Sequence, residues 1–336
     1  MTISEFNKKP YESIISCPLC ATNPHRDPNY FYAPEQTWTV NGLMKRWQKE
    51  RGFVPIPPVY QWSTLEKREC QNCGLFSYNL SLRDDYPGFY EKLVGEEHQY
   101  YHPGRTEYDV FYNHIFDWMN SSAVNWDAES DPHFLEIGCG NGFLLEKLAG
   151  LKDKFPLHAP KLVGSETNEI CISNCRTNGI DAEFVSGDLK ELFRTHVPNQ
   201  FQCILASQVL EHIADIKSFL DDTNNLLPPG GRFYVAVPNP EQIKVTGNSI
   251  LNIAPHHQID FSEKTFNWIA KEYGWEIKLY HKEPLTERVY RKYKNVAEDM
   301  QINKSDAIDP NDFARVAQTN FGHTHMVCFE KQCPVK

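Results

Sequence analysis

The sequence predicts an α/β protein: a mostly parallel sheet covered by helices on both faces, preceded by a small metal-binding domain. Three observations predict it. An apolar run stops at alternate glycines, Phe134-Leu-Glu-Ile-Gly-Cys-Gly-Asn-Gly142, and resumes with helical spacing from Phe143. Further apolar runs alternate with helical patterns to the end of the chain, which is the signature of parallel strands joined by crossover helices. Upstream lie two C-x-x-C knuckles, Cys17-Pro-Leu-Cys20 and Cys70-Gln-Asn-Cys73.

The bulk properties set the outer bounds. A chain of 336 residues with 40% hydrophobic and 13% aromatic residues is globular and long enough for one ordinary and one small domain. Its 34 basic against 44 acidic residues give a net charge of -10, the wrong sign for a protein that neutralises phosphates, so nucleic acid is not expected as a partner. The N-terminus has no apolar secretion core, and no run reaches the roughly 20 apolar residues of a membrane span. The expectation is a soluble, cytoplasmic protein. Cys139, Cys171, Cys175 and Cys203 fall in apolar or helical segments and are expected as buried reduced thiols.

The first domain is placed at 1–85. Each knuckle sets two thiolates on one side of a metal, and Cys17, Cys20, Cys70 and Cys73 together close a tetrahedral zinc shell, which makes the site structural. Free or redox-active thiols are the competing reading. Residues 21–69 must leave and return between the knuckles, with Gly52 to Tyr60 extended by its prolines. Loss of this zinc is expected to disturb the N-terminal domain and leave ligand binding by the second domain largely intact. A connector at 86–130 follows, aromatic and helical, including Tyr108 to Trp118, with an apolar face set to cover the sheet edge or the ligand cleft.

Strands are expected at 133–138, 161–166, 182–186, 201–206 and 231–237, with a helix after each of the first four. A helix near 262–273 capped by Ser262, a strand at 275–280 and a last strand at 324–329 complete the pattern, with a charged insertion at 284–320. At the first turn, Gly138 and Gly140 permit positive φ and a close approach of backbone N–H groups to a ligand. Gly142 comes one residue too early for the G-x-G-x-x-G of a dinucleotide site, which disfavours a pyrophosphate. Glu136 offers a carboxylate suited to an ammonium or hydroxyl group.

This E-x-G-x-G-x-G arrangement resembles the class I S-adenosylmethionine-dependent methyltransferases, and the resemblance runs through 131–336. It implies a Rossmann-like seven-stranded sheet whose last strand is antiparallel and inserted beside the sixth. It also implies that Glu166 accepts from the ribose hydroxyls, Asp188 from the adenine amino group with Leu189 on the ring, and that Gln208 meets the methionine end. Plainer readings stand beside these: Glu166 as a helix N-terminal acid and Asp188 as an N-cap. The stretch Gln208-Val-Leu-Glu-His-Ile213 looks like the Q-V-L-E-H-[IV] of small-molecule methyltransferases. Glu211 and His212 are not expected to act together, since neighbours on a helix do not share a face, and His212 reads as structural.

Knuckles, connector and cofactor domain in this order resemble the zinc-binding-domain methyltransferases, which include sugar C-methyltransferases. In that group a Glu-His pair stands before a Phe-Ser helix start. This chain has His256-His257 there, and His257 matches the histidine while the acid is missing. His257, oriented by His256, is the expected general base, with a surface or capping pair as the alternative. The group's further C-terminal domain has no counterpart in this sequence, so O- or N-methylation of a small-molecule, glycan or nucleotide-sugar acceptor is expected. A modifier of protein or nucleic acid recognised through the zinc domain, and a non-catalytic adaptor, are the other classes. The acceptor and the oligomeric state are left open by the sequence.

Overall fold

Two sheets carry the fold, and the chain enters the smaller one first. The structure, a computed structural model, describes residues 16–22, 34–56, 60–79, 103–121, 131–187, 192–194, 196–240, 250–284 and 322–333. Between the knuckles the excursion folds as strand β1 (Pro34–Thr39), helix α1 (Val40–Arg51) and strand β2 (Thr64–Glu69), followed by β3 (Phe76–Tyr78). Thr39 caps α1 by accepting from the Gly42 N–H, and Gly52 closes it at φ 74°. The sequence predicts an excursion here, extended over Gly52 to Tyr60, but not these strands and this helix. Val40, Leu43 and Trp47 of α1 pack with Leu65 and Tyr78 into a separate small core.

Helix α2 (Thr106–Met119) then leads to the large sheet, in agreement with the helical spacing of 108–118. In chain order come β4 (His133–Ile137), α3 (Phe143–Ala149), α4 (Leu151–Lys154), β5 (Lys161–Glu166), α5 (Glu169–Thr177), β6 (Glu183–Ser186), β7 (Cys203–Ser207), α6 (Ile216–Leu226) and β8 (Arg232–Pro238). After them come a two-residue strand β9 (Ile259–Asp260), α7 (Glu263–Tyr273), β10 (Trp275–Pro284) and β11 (Gly322–Lys331). The large sheet runs β10-β11-β8-β7-β4-β5-β6. Pairs from β8 through β6 are parallel, whereas β11 lies antiparallel between β8 and β10. This is the expected seven-stranded order with the last strand inserted antiparallel. Of the helix expected after 182–186 only 192–194 is described, and it is helical, while nearly all of the 284–320 insertion lies outside the described residues.

Side-chain alternation along the strands builds the two faces. Leu135, Val163, Ile204, Val235 and Phe329 face α6 and α7, where Phe219, Leu220, Phe266 and Ile269 meet them. Phe134, Leu162, Leu205, Tyr234 and Met326 face the other way, onto Phe111 and Ile115 of α2 and Leu144 and Leu148 of α3. Cys139, Cys171, Cys175 and Cys203 are buried free thiols, as expected. Among the described residues no helix is long and apolar enough to cross a membrane.

The two sheets are joined in a way the sequence did not announce. Strand β9 comes from the C-terminal half but pairs with β3, placing Phe76 opposite Asp260 and Ser77 opposite Ile259. Cys17, Cys70 and Cys73 belong to the same apolar cluster as α7 and the large sheet.

Candidate functional site

The glycine turn leaves β4 at the carboxyl edge of the sheet, where ligands of open α/β sheets bind. Gly138, Gly140 and Gly142 all adopt positive φ, at 68°, 52° and 76°. Glycine at 138 and 142 also answers to packing. A Cβ at Gly138 would stand 2.6 Å from Val209 Cγ2, and one at Gly142 2.5 Å from Ile180 Cδ1. The turn is therefore pressed against its own scaffold at both ends, while its middle carries the N–H groups.

Glu166 closes β5 and reaches back to that middle. Its Oε2 accepts from the Gly140 N–H at 2.9 Å, and its Oε1 accepts from Thr167 and Asn168 N–H at 2.8 and 3.0 Å. The carboxylate holds the turn in place, and the second lone pair of Oε2 is the one that suits a hydroxyl. Glu136 is different: it is 2% exposed and its Oε2 has no hydrogen-bond partner among the described residues. Burial pushes its carboxyl well above the usual range, helped by the charges of Cys175 and Glu166. A buried carboxyl with one unpartnered oxygen beside a positive-φ turn offers an acceptor to a cationic or hydrogen-bond-donating ligand. Asp188 and Leu189 lie outside the described residues.

Gln208, just past β7, is a non-glycine residue at φ 57°, held by its N–H to Ala236 O at 2.7 Å. Strained backbone of this kind concentrates at ligand sites. Beside it Ser207 Oγ donates to Glu107 Oε1 at 3.2 Å, which ties the first turn of α2 over the strand ends. Burial and the charge of Glu136 raise the Tyr108 phenol, so this residue of α2 faces the turn.

Beyond Gln208 the sequence Leu210-Glu-His212 forms a single 3₁₀ turn, not the helix expected. This changes the reading of its neighbours. Glu211 is 1% exposed, and its Oε1 lies 3.8 Å from His212 Nε2. The loop carrying His256 and His257 docks on the same turn, with Gln258 N–H donating to Glu211 O at 2.7 Å and the His212 Nδ1 2.8 Å from His256 O. Ring centroids of His212, His256 and His257 stand 4.5 to 5.0 Å apart. Both His256 and His257 are buried, where a surface or capping pair would be exposed. Burial, reinforced by the neighbouring imidazoles, drives His256 and His257 well below the ordinary histidine range, and burial takes His212 down to about 4. The same burial pushes the Glu211 carboxyl up to about 8. Around this cluster stand Lys67 and Asp260, a buried ion pair at 2.8 Å between β2 and β9. Glu211 and the packing of His212 escaped sequence reasoning, because an α-helical wheel was applied to a 3₁₀ turn.

Near the start of α7 the four knuckle cysteines converge. Cys17 Sγ and Cys73 Sγ are 3.5 Å apart and Cys20 Sγ and Cys70 Sγ 3.6 Å apart, and all four sulfurs lie within 4.8 Å of one another. Tetrahedral zinc with bonds of about 2.3 Å sets its sulfurs about 3.8 Å apart, so the donor set fits that metal. Ser262 Oγ donates to Gly74 O at 2.9 Å, seating the second knuckle on the start of α7.

Comparison with known proteins agrees with this arrangement. A family model described as a methyltransferase domain matches residues 113–279. Ubiquinone biosynthesis O-methyltransferase of Brucella anthropi is 27% identical over 121 residues, covering 35% of this chain and 45% of that protein. Its counterpart in Chelativorans is 32% identical over 120 residues, covering 35% and 44%. The chain thus spans less than half the length of these relatives. A solved S-adenosylmethionine-dependent methyltransferase from Mesorhizobium loti aligns with 68% of this chain and 100% of its own at 12% identity and a TM-score of 0.43, too loose to carry an argument. The segment 113–279 thus matches a methyltransferase domain, and the sheet around it has the seven-stranded order with an inserted antiparallel strand.

Proposed function

We propose that this protein transfers the methyl group of S-adenosylmethionine to an oxygen or nitrogen of a small-molecule, glycan or nucleotide-sugar acceptor. The observation that carries the reading is the buried Glu136, whose Oε2 has no hydrogen-bond partner among the described residues, beside three positive-φ glycines whose N–H groups a ligand can approach closely. Glu166 and Gln208 would meet the ribose and the methionine end, with Asp188 and Leu189 at the adenine. The O-methyltransferase relatives favour oxygen as the accepting atom. In the reaction a lone pair of the acceptor attacks the methyl carbon in line, the carbon–sulfur bond breaks, and its electron pair stays on sulfur. Positioning supplies much of the rate. The acceptor's proton passes to the neutral imidazole of His257, oriented by His256. Cys17, Cys20, Cys70 and Cys73 would hold one structural zinc.

Calorimetry with S-adenosylmethionine and with NAD tests the cofactor, and methyl uptake from labelled cofactor into metabolite fractions identifies the acceptor. Heat with S-adenosylmethionine alone is expected. A folded protein that binds neither ligand would overturn the reading, and methyl uptake into protein or RNA fractions would redirect it to a macromolecular acceptor. His257→Ala is expected to lower kcat about a hundredfold to ten-thousandfold with cofactor affinity unchanged, read by steady-state kinetics across pH.

A further inference from the structure

The histidine cluster has the makings of a second metal centre, distinct from the four cysteines. One ring nitrogen from each of His212, His256 and His257 can be chosen so that all three lie within 4.8 Å of one another. The three residues come from two chain segments, the 3₁₀ turn after β7 and the loop before β9, so their convergence is a product of tertiary structure. His212 turns its Nδ1 to the carbonyl of His256 at 2.8 Å, the outer-shell bond that fixes a tautomer and leaves Nε2 to present its lone pair. His257 Nδ1 is buried without a hydrogen-bond partner among the described residues.

A separate observation points to a cation. Both oxygens of Glu211 are buried with no hydrogen-bond partner among the described residues, 3.8 Å from His212 Nε2 at the nearest. A buried carboxyl left in this way holds its proton until a positive charge stands beside it, and a metal bound here would supply that charge. The buried ammonium of Lys67 is committed to Asp260 at 2.8 Å.

We propose that His212, His256 and His257 bind a divalent transition metal of the zinc class, with Glu211 balancing its charge. Three imidazoles at about 2.0–2.1 Å from tetrahedral zinc have nitrogens about 3.3 Å apart, a spacing that side-chain rotation can reach from nitrogens already within 4.8 Å of one another. Burial keeps all three imidazoles neutral, the form that ligates. Three protein ligands leave a fourth position for water or for the acceptor's heteroatom. The metal's task, though not its binding, rests on the functional reading above. An acceptor hydroxyl on the metal would lose its proton to solvent at lower pH, and His257 then serves as a ligand in place of a base.

The full-length protein, prepared without chelator and dialysed against zinc, provides the test. Elemental analysis is expected to give one more zinc equivalent in wild type than in His256→Gln/His257→Gln, with the knuckle cysteines unchanged in both. Equal zinc in the two proteins overturns the proposal. If the variant does not fold, zinc-edge X-ray absorption of wild type decides: a nitrogen shell near 2.0–2.1 Å beside the sulfur shell supports the site, and sulfur alone overturns it. Calorimetry with S-adenosylmethionine on the same samples keeps the two readings separate. Zinc at the histidines without cofactor heat sustains the metal site and removes the proposed function, and cofactor heat with sulfur-only zinc does the reverse.

Discussion

Gly138 meets two demands that no side chain satisfies together. Its φ of 68° is unfavourable for any L-residue, and a Cβ would stand 2.6 Å from Val209 Cγ2. Gly138→Ala is expected to cost about 1–3 kcal/mol in urea unfolding, and adding Val209→Ala should recover the contact but not the backbone strain. The glycines were legible in the sequence because the need for positive φ leaves few residue types to choose from. Glu136 was legible for its place on the strand. The role of Glu166 as the staple of the Gly140 N–H was not, since it depends on a carboxylate reaching across from a neighbouring strand. Least legible was the burial of Glu211, on whose turn the loop of His256 to Gln258 docks.

At the scale of elements the central strands were read almost to the residue: 161–166 was expected and Lys161–Glu166 is found. Parallel strands buried on both faces are apolar runs, and such runs announce themselves. The strands Pro-Glu-Gln-Thr-Trp-Thr and Thr-Leu-Glu-Lys-Arg-Glu were missed because polar residues dominate them, and they are fixed by pairing instead of by pattern. Helix α7 begins as expected at Ser262, with a capping box to Thr265. Ser262→Ala should cost about 1–2 kcal/mol, read in the same unfolding assay, because the hydroxyl also reaches Gly74 O. On the paired β10 and β11, His325 is buried and its Nδ1 lies 2.9 Å from the Tyr280 hydroxyl. Burial, with Lys282 adding to it, lowers this histidine from 6.5 to about 3. Between those values the unfolded chain binds a proton that the folded chain refuses, so this site subtracts stability as pH falls below 6.5 and the loss is complete near 3. His325→Gln should flatten the decline of thermal midpoint between pH 6.5 and 4, and an unchanged slope would show that other groups govern it.

In the whole molecule the two sheets do not behave as independent domains. Lys67 and Asp260, 2% and 4% exposed, pair at 2.8 Å between β2 and β9, the two strands that flank β3. Lys67→Met leaves a buried carboxylate unpaired and should cost about 3–5 kcal/mol, whereas Lys67→Met with Asp260→Leu should recover most of it. Because Cys70 and Cys73 sit in the core shared with α7, Cys70→Ser is now expected to weaken the large sheet as well, contrary to the expectation drawn from sequence. A single cooperative transition in both chemical and thermal unfolding checks this.

The pairing of Ile259 and Asp260 with β3 spans only two residues, so it holds its place through what lies on either side of it. On one side is the turn at Cys70–Cys73, and on the other, directly preceding it, are His256, His257 and Gln258. The N-terminal region is thus a mooring for the histidine loop. A chain trimmed to start at residue 103 would lose that mooring together with part of the core beneath α7, so on the proposed function its turnover should fall further than its cofactor affinity.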